Sequence, residues 1–217
     1  MKIAVMQPAF IPPASYLRLF AACDVFVVLD DVQFDRRWYT HRQQLTGRTG
    51  NKQWLTLPLK KMPRDTTMIC GLEWQDNARD RWVGRLKNFP VFDKESAMTV
   101  NTKNLFNLLS PVDCVSNGLF EAVMHLRIKS ILDKSSRLNI APELHGQDRI
   151  IAICKKLGAT EYVNSPGGRE LYDDDSFMKE GIKLTFLPDY KGSYDSVLER
   201  LQDETPKEIR QEIMENL

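Results

Sequence analysis

The chain has no Cys-x-x-Cys pair, only three histidines, no apolar run long enough to cross a bilayer and almost no net charge. Each absence removes a class of function. Cys23, Cys70, Cys114 and Cys154 are widely spaced, so they read as free thiols in a reducing compartment, most of them small buried hydrophobes. His41, His125 and His145 are equally scattered and form no zinc signature, so no metal site is expected. Thirty basic residues against 29 acidic ones leave a formal charge of +1, which gives no electrostatic reason to expect nucleic acid or an anionic membrane as partner. The opening run Ile3 to Met6 breaks at Gln7–Pro8, too short for a secretory signal, and the expected location is the cytoplasm. Gly-x-Gly-x-x-Gly and Gly-x-x-x-x-Gly-Lys-Ser/Thr are also missing, and with them the glycine cradles of dinucleotide and Walker-type phosphate sites.

What is present is an ordinary globular composition, 42% apolar and 27% charged over 217 residues, enough for one domain with a sizeable core. Lys2 to Met6 reads as a short buried strand, Ala14 to Cys23 as a helix with Pro13 at its start, and Val25 to Leu29 as an unbroken apolar strand. Strand, helix and strand make a βαβ unit, and fully apolar strands imply cover on both faces. Gln53 to Leu57 reads as another strand, Lys60–Asp65 as a charged turn, and Asp76–Asn88 as a helix. Residues 104–136 read as mostly helical, interrupted near Ser110–Pro111 and again near Asn117–Gly118. A second α/β pattern follows: a helix from Asp148 stopped by Gly158, strands at Glu161–Asn164 and Lys183–Leu187, and a C-terminal helix near 205–217 opened by the capping box Thr205-Pro206-Lys207-Glu208. The expected fold is therefore α/β. A mostly parallel sheet of Rossmann-like βαβ units is interrupted by a mainly helical middle segment near 76–136, all within one domain spanning 1–217.

In such a sheet, ligands sit outside the carboxyl ends of the strands. Gln7 and Pro8 follow the first expected strand, and Asp30-Asp31-Val32-Gln33-Phe34 follows the second. Adjacent carboxylates on extended backbone face opposite ways, so one of Asp30 and Asp31 is expected to work directly and the other to position backbone or an arginine. The same pair serves equally well as a loop cap. Arg36, Arg37, His41, Arg42 and Arg48 follow in one short segment with Trp38 and Tyr39 between them. Their planar forks suit phosphate or carboxylate and stack on aromatics, pointing to a small anionic ligand, although a solvated loop has the same composition. His41 is a candidate acid or base because imidazole titrates near neutrality. Ser165-Pro166-Gly167-Gly168-Arg169 suits a small anion-binding turn. Asp173-Asp174-Asp175 reads as a helix-capping turn, because three consecutive carboxylates cannot converge on a metal. Trp54, Trp74 and Trp82 read as core residues or residues at its edge. Among the cysteines, Cys70 is the least unsuited to act as a nucleophile, and inert burial is the better reading for all four.

Taken together, Ile3-Ala4-Val5-Met6-Gln7-Pro8-x-Phe10-x-Pro12, Asp24-x-Phe26-Val27, Asp30-Asp31-Val32-Gln33-Phe34 with Arg37, Trp38 and Arg42, and Trp54-Leu55-Thr56-Leu57-Pro58 resemble the WbqC-like family. Asp148-Arg149-Ile150, Lys156-Leu157-Gly158-Ala159, Gly168-Arg169, Tyr172, Phe177 and Gly181-Ile182 extend the resemblance into the C-terminal part, while residues 60–140 match weakly. Pro13-Ala14-Ser15-Tyr16, His41-Arg42-Gln43 and Arg85 depart from the family pattern, and these departures lie near the presumed site. The resemblance implies a role beside sugar-nucleotide or natural-product tailoring, since the family is associated with O-antigen and other surface polysaccharide clusters. It adds no cofactor. The resulting expectation is an acyl or aminoacyl transferase acting on an amino sugar, or on another small anionic or nucleotide-linked substrate, alongside partner biosynthetic enzymes. Asp30, Asp31 and His41 would be its catalytic groups. Gln7, Pro8, Gln33, Arg37, Arg42, Gly168, Arg169 and Tyr172 would bind the substrate. The alternatives are a non-catalytic sugar-nucleotide binding protein and an adenylyl-transferring enzyme.

Overall fold

The computed structural model describes residues 1–63, 65–107 and 110–217. The turn expected over Lys60–Asp65 and the helical stretch expected over 104–136 therefore include residues outside that description (64, and 108–109). In chain order the strands are β1 (Lys2–Met6), β2 (Val25–Val28), β3 (Arg42–Thr46), β4 (Lys52–Thr56), β5 (Ile131–Lys134), β6 (Glu161–Asn164) and β7 (Lys183–Phe186). The α-helices are α1 (Ala14–Ala21), α2 (Ala78–Leu86), α3 (Ala97–Lys103), α4 (Pro111–His125), α5 (Gly146–Leu157), α6 (Asp174–Lys179), α7 (Val197–Arg200) and α8 (Pro206–Glu215). Five strands form one sheet in the order β5-β2-β1-β6-β7, every neighbour parallel. β3 and β4 pair antiparallel in a separate two-stranded arm, with Arg42 opposite Thr56 and Gln44 opposite Trp54.

The apolar strands are explained by cover on both faces. Along β1 and β2, Ile3, Val5, Val25 and Val27 pack with Ile150, Ile153 and Cys154 of α5 and Phe177 of α6. The alternate residues Ala4, Phe26 and Val28 pack with α1, α4 and α8. Phe26 stacks on Phe20 with ring centres 3.8 Å apart. Burying a side chain of this size contributes about 1.5–3 kcal/mol, so a polar residue at any of these positions would cost more than a surface change.

Two strands are absent from the sequence reading. β3, Arg-Gln-Gln-Leu-Thr, is polar by composition and yet buries Gln43 and Leu45 on one face. β5 falls within the stretch read as helical; it is four residues long with an exposed Ile131, too short for alternation to register. The interruption expected near Asn117–Gly118 does not occur. α4 runs from its Ser110 cap through both residues to His125, because glycine costs only about 1 kcal/mol in a helix and Val112, Val115, Leu119, Ala122 and Val123 are buried along it. The C-terminal helix opens as expected: Thr205 Oγ1 accepts from Glu208 N–H, and Glu208 accepts in return from Thr205 N–H.

Candidate functional site

Chain order reverses at β1, which has β2 and β5 on one side and β6 and β7 on the other. In a doubly wound sheet the crevice at such a reversal is where ligands lie. Gln7 is the first residue beyond β1 and, by strand alternation, continues the face of Ile3 and Val5. Its side-chain Oε1 is buried and has no hydrogen-bond partner among the described residues. Its backbone carbonyl accepts from the Tyr16 hydroxyl at 2.8 Å, and burial pushes that phenol well up. Pro8 is buried behind it.

On the other side of the reversal, Asn164 ends β6 and is 4% exposed. Its Oδ1 accepts from Ser165 N–H at 2.7 Å, turning the chain. Gly168 then lies directly on this side chain: a Cβ there would sit 2.5 Å from Asn164 Nδ2. The glycine is required by that approach rather than by its backbone angle. Tyr172 follows, its hydroxyl 3.4 Å from that of buried Tyr162. Arg169 is exposed and leans over β7, its guanidinium 5.5 Å from the centre of Phe186, with β6 between it and β1.

Asp30 and Asp31 both have internal partners and share one of them, Ser135 Oγ, so they do not turn to opposite sides as strand alternation predicts. Asp30, 1% exposed, accepts from Ser135 Oγ at 3.2 Å, Ser136 N–H at 2.9 Å and Ser136 Oγ at 2.8 Å. It thereby ties the end of β2 to the turn that follows β5. Asp31 pairs with Arg149 on the first turn of α5 and accepts from Ser135 Oγ. Arg149 also reaches the carbonyls of Ala141 and Leu144, each at 3.3 Å. Cys70 is exposed beside this pair. Its N–H donates to the Asp30 carbonyl at 2.7 Å, and its thiol is pushed up, first by burial and then by the two carboxylates. A thiol held protonated is a poor nucleophile. Gln33 is exposed and bridges to Met68. Burial pushes the other three thiols up, Cys23 to about 11 and Cys114 and Cys154 to about 12.

The two-stranded arm meets the sheet at the loop after Gln7–Pro8. Phe10 N–H donates to the Tyr39 carbonyl at 2.9 Å. Ile11 has a backbone φ of 48°, a left-handed conformation that costs a β-branched residue about 1–2 kcal/mol. Its carbonyl is held by Gln43 Nε2 and Ser196 Oγ, both at 3.0 Å, and both donors are buried. His41, at the start of the arm, is 8% exposed and packs edge-on against Phe34 at 5.0 Å. Its Nδ1 has no partner among the described residues. Burial, then Arg42, then Arg36 lower its pKa to about 4, so the ring is neutral at pH 7.

Arg37 pairs with Asp35 at 3.2 Å. Arg42 lies over Trp54, its guanidinium carbon 4.1 Å from the ring centre. That places Trp54 differently from the sequence expectation. Trp82 is buried and Trp74 packs against the core, but Trp54 is 40% exposed, because it stands on the outward face of β4 above Arg42. Sequence reasoning also missed Ser135, Ser136, Arg149 and Asn164. Nothing in the local pattern of Ser135-Ser136 links it to Asp30, over 100 positions earlier. Asn164, by contrast, ends a strand just before a Pro-Gly-Gly turn, which is a readable signal. Among the described residues no three His, Cys, Asp or Glu side chains converge as a metal site, and no helix is long and apolar enough to cross a membrane.

Comparison with known proteins finds a match to the model of the WbqC-like protein family over residues 7–200. The chain is also 27% identical, over 207 residues, to a protein of Mycobacterium tuberculosis (strain ATCC 25618 / H37Rv) named "Uncharacterized protein Rv1507c"; the match covers 89% of this chain and 84% of that one. No solved structure gives a significant match.

Proposed function

The chain belongs to the WbqC-like protein family, and we propose that it is a transferase in polysaccharide or natural-product biosynthesis. It would move an acyl or aminoacyl group onto an amino sugar or another small anionic or nucleotide-linked molecule held at the carboxyl edge of the sheet. The observation that supports this reading is the buried Oε1 of Gln7 at the reversal of strand order, which has no hydrogen-bond partner among the described residues. Leaving such an acceptor without a donor costs about 1–3 kcal/mol, which an N–H on a ligand would recover. In this reading Gln7 takes the N–H of the acceptor amine, with Pro8, Tyr172 and the Gly168 turn beside it. Arg37, Arg42 and Arg169 supply positive charge for phosphate or carboxylate, and Gln33 a neutral hydrogen bond.

Acyl transfer to an amine forms a C–N bond while the amine loses a proton and the leaving group departs with the electron pair of the broken acyl bond. The proton needs an acceptor within hydrogen-bond reach. His41 Nδ1 takes that role in the proposal, because an anion bound against Arg36 and Arg42 would offset part of what lowers its pKa. Asp31 acts by holding Arg149, and Asp30 by holding the Ser135–Ser136 turn.

The test is a thermal-shift panel of nucleotides, sugar nucleotides and amino acids, since a ligand that binds only the folded chain raises its melting temperature. A nucleotide-linked amino sugar should give a shift that Gln7→Leu reduces. A panel without any shift, or a shift of the same size in Gln7→Leu, refutes the reading. A second reading is a non-catalytic sugar-nucleotide carrier, and one observation favours it: both aspartates at the strand ends have internal partners. It predicts the same shift with no product when an acyl donor is added.

A further inference from the structure

Trp38, Tyr39 and Trp54 expose 57%, 45% and 40% of their surface, and the proposed function uses none of them. Tyr39 and Trp54 lie 5.6 Å apart between ring centres, tilted by 48°. Arg42 backs this pair from 4.1 Å over Trp54. It is fixed there by a hydrogen bond from its Nη2 to the Arg37 carbonyl at 2.7 Å, and its buried Nε has no partner among the described residues. Arg36 and Arg37 are exposed on the same segment. One backbone hydrogen bond, Phe10 N–H to the Tyr39 carbonyl, joins this surface to the loop that begins at Gln7. Gln7 to Phe10 is three Cα steps, a span of at most about 11 Å.

We infer that Tyr39, Trp54 and Arg42 seat the nucleoside end of a nucleotide-linked substrate whose other end reaches the crevice at Gln7. The inference deepens the proposed function. It rests on that reading for the position of the acceptor amine, but not for the seat itself. Every nucleobase has a π face, so an exposed aromatic pair backed by an arginine accepts a base without hydrogen-bond readout. The sequence has no glycine-rich phosphate loop, and the exposed fork of Arg36 meets phosphate oxygens in its place, with Arg42 adding its charge from beside Trp54. The two rings are too close and too steeply tilted to sandwich a flat group, so the base lies on one outward ring face and leaves the phosphates free to turn toward the loop. A diphosphate linker suits the short path to Gln7, whereas a free amino acid on the rings would not reach it. A net charge of +1 fits a single nucleotide rather than a strand, whose binding draws on many phosphate contacts.

UDP carries no acceptor amine and tests the seat alone. Added to the full chain, UDP should quench tryptophan emission, and ADP should do the same, because stacking tolerates either base. By calorimetry, Trp54→Leu and Tyr39→Leu should each weaken UDP binding at least tenfold, and Arg42→Lys, which keeps the charge and loses the planar backing of Trp54, about tenfold. Tyr39 and Trp54 are exposed, so these variants should melt close to the wild type, and circular dichroism checks that they fold. No binding of UDP or ADP to the wild type, or affinity unchanged in both Trp54→Leu and Tyr39→Leu, overturns the inference. Failure of the transferase reading looks different: UDP binding still depends on Trp54, while a UDP-linked amino sugar binds no differently from UDP and yields no product when an acyl donor is added.

Discussion

Acidification from pH 7 to 4 should destabilise the protein through His41. Burial, with help from Arg42 and Arg36, brings this imidazole from its ordinary value of 6.5 down to about 4 in the folded state. The unfolded chain takes up a proton as pH falls through 6.5, and the folded protein does so only near 4. Between those values the unfolded state holds more protons, so stability rises with pH and is lost as acid is added. At 1.36 kcal/mol for each tenfold change in proton affinity, the loss through this one side chain reaches about 3 kcal/mol by pH 4. Carboxylates titrate over part of the same range, so the assay must isolate the histidine. Urea unfolding of the wild type and His41→Gln, followed by far-UV circular dichroism across the window, does this by difference. Above pH 7 the gap between the two proteins should be constant. From pH 6.5 downward it should move by about 3 kcal/mol in favour of the variant. A gap independent of pH would refute the claim that the folded protein holds this ring neutral. A bound nucleotide offers a second check, because an anion against Arg36 and Arg42 raises the folded value and narrows the window.

Asp30→Asn should cost about 2–3 kcal/mol, read as a lower urea midpoint at unchanged slope, because an amide group would face Ser135 and Ser136 donors. Full stability in that variant would remove Asp30 from the scaffold. Arg149→Met should cost about 3–5 kcal/mol by stranding Asp31, and the double variant with Asp31→Asn should recover part of it, since the pair's side chains are only 7% and 18% exposed. Strict additivity in that cycle would show that the pair is not coupled. Gly168→Ala should displace Asn164, whose Nδ2 lies 2.5 Å from the new Cβ, lowering the melting temperature and weakening any crevice ligand together; an unaffected variant would mean that the turn gives way freely.

The parallel sheet was largely legible because burial on both faces makes β1 and β2 read as apolar runs, while β6 and β7, each with charged or polar members, were legible from the turn residues that bound them. Thr205–Glu208 and Gly158 were legible for a different reason: a capping box and an αL terminator are set by the residue itself, and the structure has both. β3 and β5 were not, since their pairing depends on neighbours far along the chain and their own compositions are polar or too short. Trp54 shows the limit of reading aromatics from their neighbours. Leu55 beside it is fully buried, and in a strand that fact puts Trp54 on the opposite face; the alternation was visible, but which face met solvent was not.

The candidate site divides along the same line. That Gln7 and Asp30 stand at neighbouring strand ends follows from two apolar runs and a helix, and the register of β1 against β2, Met6 opposite Val28, bears it out. What each side chain does there is decided by segments more than a hundred residues away: Ser135 and Ser136 for Asp30, Arg149 for Asp31, Ser196 for the Ile11 carbonyl. Ile11 makes the point in energetic terms. No local preference puts an isoleucine at φ 48°, and the cost of about 1–2 kcal/mol is offset only when Gln43 and Ser196 converge on its carbonyl from the arm and from the start of α7. The loop leaving β1 is thus fixed by the assembled fold and not by its own sequence. A motif that begins with Gln7–Pro8 therefore marks the carboxyl end of β1, while the path of the loop that follows is set by Gln43 of the arm and by Ser196.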